Sequence, residues 1–311
     1  MQAILYPMQE KTNRHETAIV FTSIKKSFSL FKENDPLRMA GATAFFTTFA
    51  LPPIVFILAV IFGLFIGRRT VGRGLLQHIS NTVGEQGAEQ VREVIRSIRG
   101  FGNSWYIIVF GFLFLVFVAT TLFSVIKNSL NQVWMIRLKE KSGISFLISI
   151  RIKSFAVILF AGILFLADAF IESLNVLAGK SIDKIFPGTG VYFQSVVAQI
   201  ISLLIIATWF MLLFRYLADA KPHWKAAIWG GVITGILFMG GRWILRLLLV
   251  NSNITHLYGT AGSFVLVLLF VFYSSFILYY GGCFIAVYSH EKNWPIEPNR
   301  NAFHYRIEEG M

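Results

Sequence analysis

Little in this chain can do covalent chemistry. Its 311 residues hold one cysteine, Cys283, so no disulfide framework and no cysteine-based metal site is available. Charged residues make up only 14%, against about 25% in an ordinary soluble domain. The six histidines, His15, His78, His223, His256, His290 and His304, are scattered without ligand spacing. Metal-dependent nucleic-acid cleavage, which needs carboxylates and histidines converging on metal ions, finds no such set here. No Gly-rich phosphate loop, nucleophile elbow or His-Glu-x-x-His element occurs either. The sequence therefore predicts neither an enzyme nor a cofactor or metal site. It also lacks a long Ser/Pro linker, an internal repeat and an inverted half-repeat of the kind many small-solute carriers show. The N-terminus has no charged-then-apolar-then-small signal pattern, which predicts that the first long apolar helix serves as its own insertion signal.

What the chain has in quantity is apolar length. Hydrophobic residues reach 55%, with 31 phenylalanines. Met39 to Ile66 contains no charged side chain. A helix rises about 1.5 Å per residue, so about 20 apolar residues cross a hydrocarbon core roughly 30 Å thick. Six such runs, at about 39–66, 104–126, 154–175, 191–214, 226–248 and 261–288, predict an all-α membrane protein with six transmembrane helices. Residues 1–38 form an N-terminal segment, 39–288 the transmembrane domain and 289–311 a tail. The net charge of +12 resides in the connections: on the side of the termini lie eighteen lysines and arginines, on the other side eight. Lysine alone divides eleven to two, which predicts cytoplasmic termini and charge directed at headgroups, with no nucleic acid as partner.

Two flanking segments read as amphipathic interfacial helices. Phe21, Ile24, Phe28 and Phe31 recur at helical spacing with Lys25, Lys26 and Lys32 between them, which suits anchoring to anionic lipid. In the first external loop Val91, Val94, Ile95 and Ile98 form one stripe and Arg92, Arg96 and Arg99 another, with Gly100 as a stop. That basic stripe reads either as packing beneath the bundle or as a platform for phosphate-bearing headgroups. Pro52 and Pro53 remove two backbone donors near mid-membrane and predict a kink or break in the first span, as a tolerated bend or as an unwound cavity lining.

Charges inside the spans are the candidate site. Asp168 and Glu172 lie one turn apart in the third span, Arg242 and Arg246 one turn apart in the fifth. Each costs about 2.5–3.5 kcal/mol at the centre of an isolated membrane helix. Counted from Lys153 and Lys225, Asp168 and Arg242 sit about 22 Å and 25 Å along their helices, at matched depth in the outer half. They read either as a structural clamp with snorkelling side chains or as the lining of a cavity where the arginine forks engage a phosphate or carboxylate. Gly230, Gly231, Gly235, Gly240 and Gly241 predict close packing of the fifth span.

The last third carries recognisable elements: Pro222-His223-Trp224, then His256-Leu257-Tyr258-Gly259-Thr260-Ala261-Gly262-Ser263, and Tyr279-Tyr280-Gly281-Gly282. Earlier come Asp35 through Ala44-Phe45-Phe46 to Leu51-Pro52, Ser129-Leu130-Asn131-Gln132-Val133-Trp134, and Arg151. Over about residues 20–290 the chain resembles the BrkB/YihY family of bacterial inner-membrane proteins, once labelled ribonuclease BN-like. The resemblance implies a six-helix bundle in the cytoplasmic membrane, with movement of lipid or lipopolysaccharide precursor as the suggested activity. Members often carry an acid after the glycine–alanine pair of the last helix, where this chain has Cys283; a mechanism needing that carboxylate is thereby in doubt. With Asp168 holding Arg242 and Arg246 ready and Tyr258 and Gly259 shaping an external rim, the residues predict transport or hand-over of an amphiphilic anion. Membrane lipids and anionic headgroups are the expected partners. The competing expectation is a non-transporting scaffold that docks an envelope protein or a second copy of itself.

Overall fold

The structure, a computed structural model, describes residues 16–62, 105–139, 190–250 and 262–305, with isolated helical positions between 152 and 164. Six helices occupy these stretches: α1 Glu16–Glu33, α2 Pro36–Phe62, α3 Trp105–Val133, α4 Gly190–Tyr216, α5 Trp224–Val250 and α6 Gly262–Glu291. Among the described residues, Val196–Tyr216, Trp224–Ile244 and Val265–Glu291 are long and apolar enough to cross a membrane. The protein is thus a mostly helical, multi-pass membrane protein.

Helix α6 is the hub. It is apolar on all sides, as a helix surrounded by other helices must be, and α1, α2, α3 and α5 all pack on it. Helix α4 packs on α5, and α2 on α3. The core gathers Leu130, Phe214, Tyr279, Phe284, Ile285 and Tyr288, all buried. Glycines set the closest approaches. A Cβ on Gly231 would stand 2.5 Å from the carbonyl oxygen of Ala207 in α4, and one on Gly241 would overlap the Tyr273 ring of α6. Tyr273 donates its hydroxyl to the Leu237 carbonyl across that contact at 2.9 Å. The expected small-residue packing of the fifth span holds for these positions, whereas Gly240 faces outward and its Cβ would meet nothing within 4 Å among the described residues.

Four short strands tie the connections together: β1 Ile136–Leu138, β2 Ala220–Lys221, β3 Glu297–Pro298 and β4 Ala302–His304. β1 pairs antiparallel with β4 in the register Ile136 to His304, and β2 pairs antiparallel with β3. The connection after α3, the connection between α4 and α5, and the tail after α6 therefore meet at one end of the bundle. Helix α1 reaches the same end, where Lys26 pairs with Glu291, the Tyr280 hydroxyl donates to the Ile24 carbonyl at 2.9 Å and the Tyr288 hydroxyl to Glu16 at 3.4 Å.

Three expectations are revised here. Helix α3 does not end near residue 126 but continues through Lys127 to Val133. At 29 residues it is about 43 Å long, more than a bilayer core requires. The N-terminal stripe divides: Phe21, Ile24 and Phe28 face outward, but Phe31 is only 1% exposed, edge-on to Phe276 with ring centroids 4.6 Å apart. Ser23 and Ser27 share its buried face, and Lys26 turns toward Glu291. Helix α2 is also unbroken from Pro36 to Phe62, so Pro52 and Pro53 sit inside continuous helix and not in an unwound segment. The Thr47 and Thr48 hydroxyls donate to the Thr43 and Ala44 carbonyls one turn back, in the helix just ahead of the prolines.

Candidate functional site

Where α3 overruns the apolar span it carries Lys127 and Asn131, one turn apart and therefore on one face. Both turn inward to Asp219, in the bend between α4 and β2. The Lys127 ammonium lies 3.0 Å from Asp219 Oδ2, with side chains only 7% and 10% exposed. Asn131 closes the clamp from both directions: its Nδ2 donates to Asp219 Oδ2 at 2.8 Å, and the Asp219 backbone N–H donates to Asn131 Oδ1 at 2.9 Å. The tail fixes the other side, since the Asn299 N–H donates to the Asp219 carbonyl at 2.9 Å. A buried carboxylate needs such partners because ionised groups removed from water lose several kcal/mol of solvation. Beside this clamp the Trp134 indole N–H donates to the Gly282 carbonyl at 2.9 Å. Trp134→Phe, which removes that donor and part of a buried ring, should cost about 2–3 kcal/mol in detergent unfolding. Cys283 follows Gly282 and is fully buried in the core.

Next to the clamp opens a cavity of about 700 Å³. Its walls are apolar: Val157 and Phe160 on one side, Trp209, Leu212 and Leu213 of α4 on the other. Arg215, Tyr216, Lys221 and Asn299 supply its polar groups, and no carboxylate is among the described lining residues. Arg215 ends α4 and is held in place. Its Nη1 donates to the Pro222 carbonyl, and its guanidinium lies 4.9 Å from the Trp224 ring centroid. Tyr216 meets the same ring edge-on at 6.2 Å. The nearest acid in sequence, Asp219, is committed to Lys127. Apolar walls with two cations in the described lining, and the adjacent acid neutralised, suit an amphiphile of negative charge.

Of the residues expected to bind, only Arg242 has a described side chain, and it is not among the cavity's described lining. Arg242 is in α5, half-buried and engaged by neighbouring groups. Arg246 belongs to the same helix, but its side chain lies outside the described residues, as do Asp168, Glu172, Tyr258, Gly259 and the Arg92, Arg96 and Arg99 stripe. Lys127 and Asp219 were not singled out by sequence. One signal was available: Asp219 is the only acid in an otherwise basic connection from Arg215 to Lys225.

A bundle of long apolar helices laced at one end by its connections defines a helical membrane protein, and comparison with known proteins narrows the class. The family model described as "Virulence factor BrkB" matches residues 27–303, and the chain belongs to that family. Among curated relatives, a UPF0761 membrane protein of Legionella pneumophila is 23% identical over 225 residues, covering 72% of this chain and 51% of the relative. One from Teredinibacter turnerae is 23% identical over 265 residues, covering 84% and 59%. Another from Pseudoalteromonas translucida is 24% identical over 199 residues, covering 64% and 63%. The chain thus spans between half and two thirds of the length of these relatives. No solved structure matches it.

Proposed function

We propose that this protein binds and hands over an amphiphilic anion, a phospholipid or a lipopolysaccharide precursor, within the bacterial inner membrane. The observation that carries the reading is the cavity of about 700 Å³ with apolar walls and Arg215 and Lys221 in its lining. Acyl chains fit the walls, and a phosphate fits the two cations, the arginine offering a planar fork and the lysine a mobile point charge. The six-span topology with both termini cytoplasmic belongs to this proposal and puts the cavity at the inner leaflet. In this reading the chain is not an enzyme and needs no nucleic acid, metal or cofactor. Arg242 and Arg246, with Asp168 and the Tyr258-Gly259 rim, would form a second station in the outer half. Arg92, Arg96 and Arg99 would offer headgroup contacts outside.

The test is lipid identification by native mass spectrometry of wild type, Arg215→Ala/Lys221→Ala and Arg242→Ala/Arg246→Ala, each purified in mild detergent. The expected result is an anionic lipid on wild type, retained at least tenfold less by Arg215→Ala/Lys221→Ala, whose melt should fall by no more than the loss of the Pro222 and Trp224 contacts, about 1–2 kcal/mol. Equal, nonselective lipid in all three would overturn the reading. Loss confined to Arg242→Ala/Arg246→Ala would move the headgroup site to the outer half.

The scaffold reading draws on a different observation: α5 presents Ile236, Gly240, Trp243 and Ile244 outward, a face suited to a second helix. Under it the cavity variant keeps all function, and Trp243→Ala breaks an assembly detectable by mass.

A further inference from the structure

Helix α1 is two-faced, and only one face belongs to the bundle. Ser23, Ser27 and Phe31 are buried against α6, and Lys26 reaches Glu291. The opposite face carries Phe21, Ile24, Lys25, Phe28 and Lys32, positions that share one side at 3.6 residues per turn. Phe21 is 75% exposed, Phe28 51% and Ile24 36%. Lys25 and Lys32 are exposed too, about 10 Å apart along the axis, and the Lys32 ammonium lies 4.7 Å from the Phe28 ring centroid. No acid shares this face. Glu16 takes the Tyr288 hydroxyl, Glu33 takes the Ser29 hydroxyl at 3.3 Å, and Asp35 lies past the helix beside Arg38.

Two facts fix what such a face meets. Only Asn34 and Asp35 separate α1 from Pro36, where α2 begins, and the uncharged run opens just past Arg38 at Met39. Phe28 and Lys32 are therefore tethered within about three helical turns of the point where the chain enters the membrane. The face also interleaves large apolar side chains with cations of one sign. A second copy stacked on it by two-fold symmetry would oppose lysine to lysine, an arrangement that like charges disfavour. We infer that the Phe21–Ile24–Phe28 face with Lys25 and Lys32 docks on the anionic phospholipid surface of the leaflet that α2 enters, rings at the headgroup boundary and each ammonium on a phosphate. This is independent of what occupies the cavity. It makes α1 a clamp between α6 and the lipid surface, sensitive to the charge of the bilayer.

The experiment uses the full chain with Phe28→Cys carrying an environment-sensitive fluorophore. Cys283, fully buried, leaves position 28 the selective target. The protein is reconstituted into vesicles of phosphatidylcholine alone and of equal phosphatidylcholine and phosphatidylglycerol. Expected are blue-shifted emission and quenching by headgroup-labelled lipid in the anionic vesicles. The ratio of docked to free probe should fall about fivefold for each of Lys25→Gln and Lys32→Gln, and fall likewise in high salt. Both lysines are exposed, so these variants should melt as wild type does. Equal quenching by aqueous iodide in the two vesicle types would overturn the inference. So would self-quenching between copies at position 28 that persists in neutral lipid, which would give the face to a second copy.

Discussion

Asp219→Ala should be among the most damaging single substitutions in this protein, lowering unfolding free energy in detergent by about 3–5 kcal/mol. The loss comes less from a missing attraction than from what stays behind. The Lys127 ammonium, with its side chain 7% exposed, would lose the carboxylate it pairs with, and Asn131 would lose the oxygen its Nδ2 donates to, keeping only the backbone N–H. Removing both charges while keeping an amide should therefore repair most of the damage. Lys127→Met/Asp219→Asn should recover well over half of the loss, because methionine fills the lysine stem's volume and asparagine keeps a partner for Asn131. Thermal melts of wild type, single and double variants check this. A double variant as unstable as Asp219→Ala would mean that the ion pair is not what the bend needs. A wild-type melt for Asp219→Ala would mean that water reaches the site.

Gly231→Ala should come next, at about 1–3 kcal/mol. The added methyl would lie 2.5 Å from the Ala207 carbonyl oxygen and 2.9 Å from the Met211 backbone nitrogen. Both are backbone atoms of α4, so no rotamer change relieves the overlap and the two helices must separate along their contact. Gly240→Ala, nine residues on in the same helix, is the control. It meets nothing within 4 Å among the described residues and should leave the melt unchanged or raise it slightly, since alanine is the better helix former. Equal losses at the two positions would show that helix flexibility and not close approach sets the cost.

The long helices were legible because hydropathy and helical rise are local quantities. Ends near 214 and 248 fall within two residues of Tyr216 and Val250. Where α3 ends was not legible: Lys127 closes an apolar window, yet its charge is cancelled by an acid far along the chain, and a helix can continue through a neutralised lysine. The same distance hid the clamp. Lys127 and Asp219 each lie in connections where charge is read as orientation, and nothing local says that they meet. The division of the α1 stripe was illegible for a related reason. Phe28 and Phe31 are equally apolar, and only the position of α6 decides that one is buried and the other is not. The cavity residues Arg215 and Lys221 were visible as loop cations, but their shared apolar wall comes from Phe160, Trp209 and Leu212, which hydropathy assigns to lipid.

The pairing of β1 with β4 bears on how the chain is made. Strand β1 leaves the ribosome long before its partner at Ala302–His304, with α4, α5 and α6 made in between. Until then Ile136–Leu138 presents an unsatisfied edge, and Asp219 waits for the Asn299 N–H. A chain cut before residue 299 would keep all six described helices and still lack the stitches that gather their connections. The short stretch from Asn299 to His304 thus acts as a latch closed after the helices are made, and a copy without it should be the more open to membrane proteases.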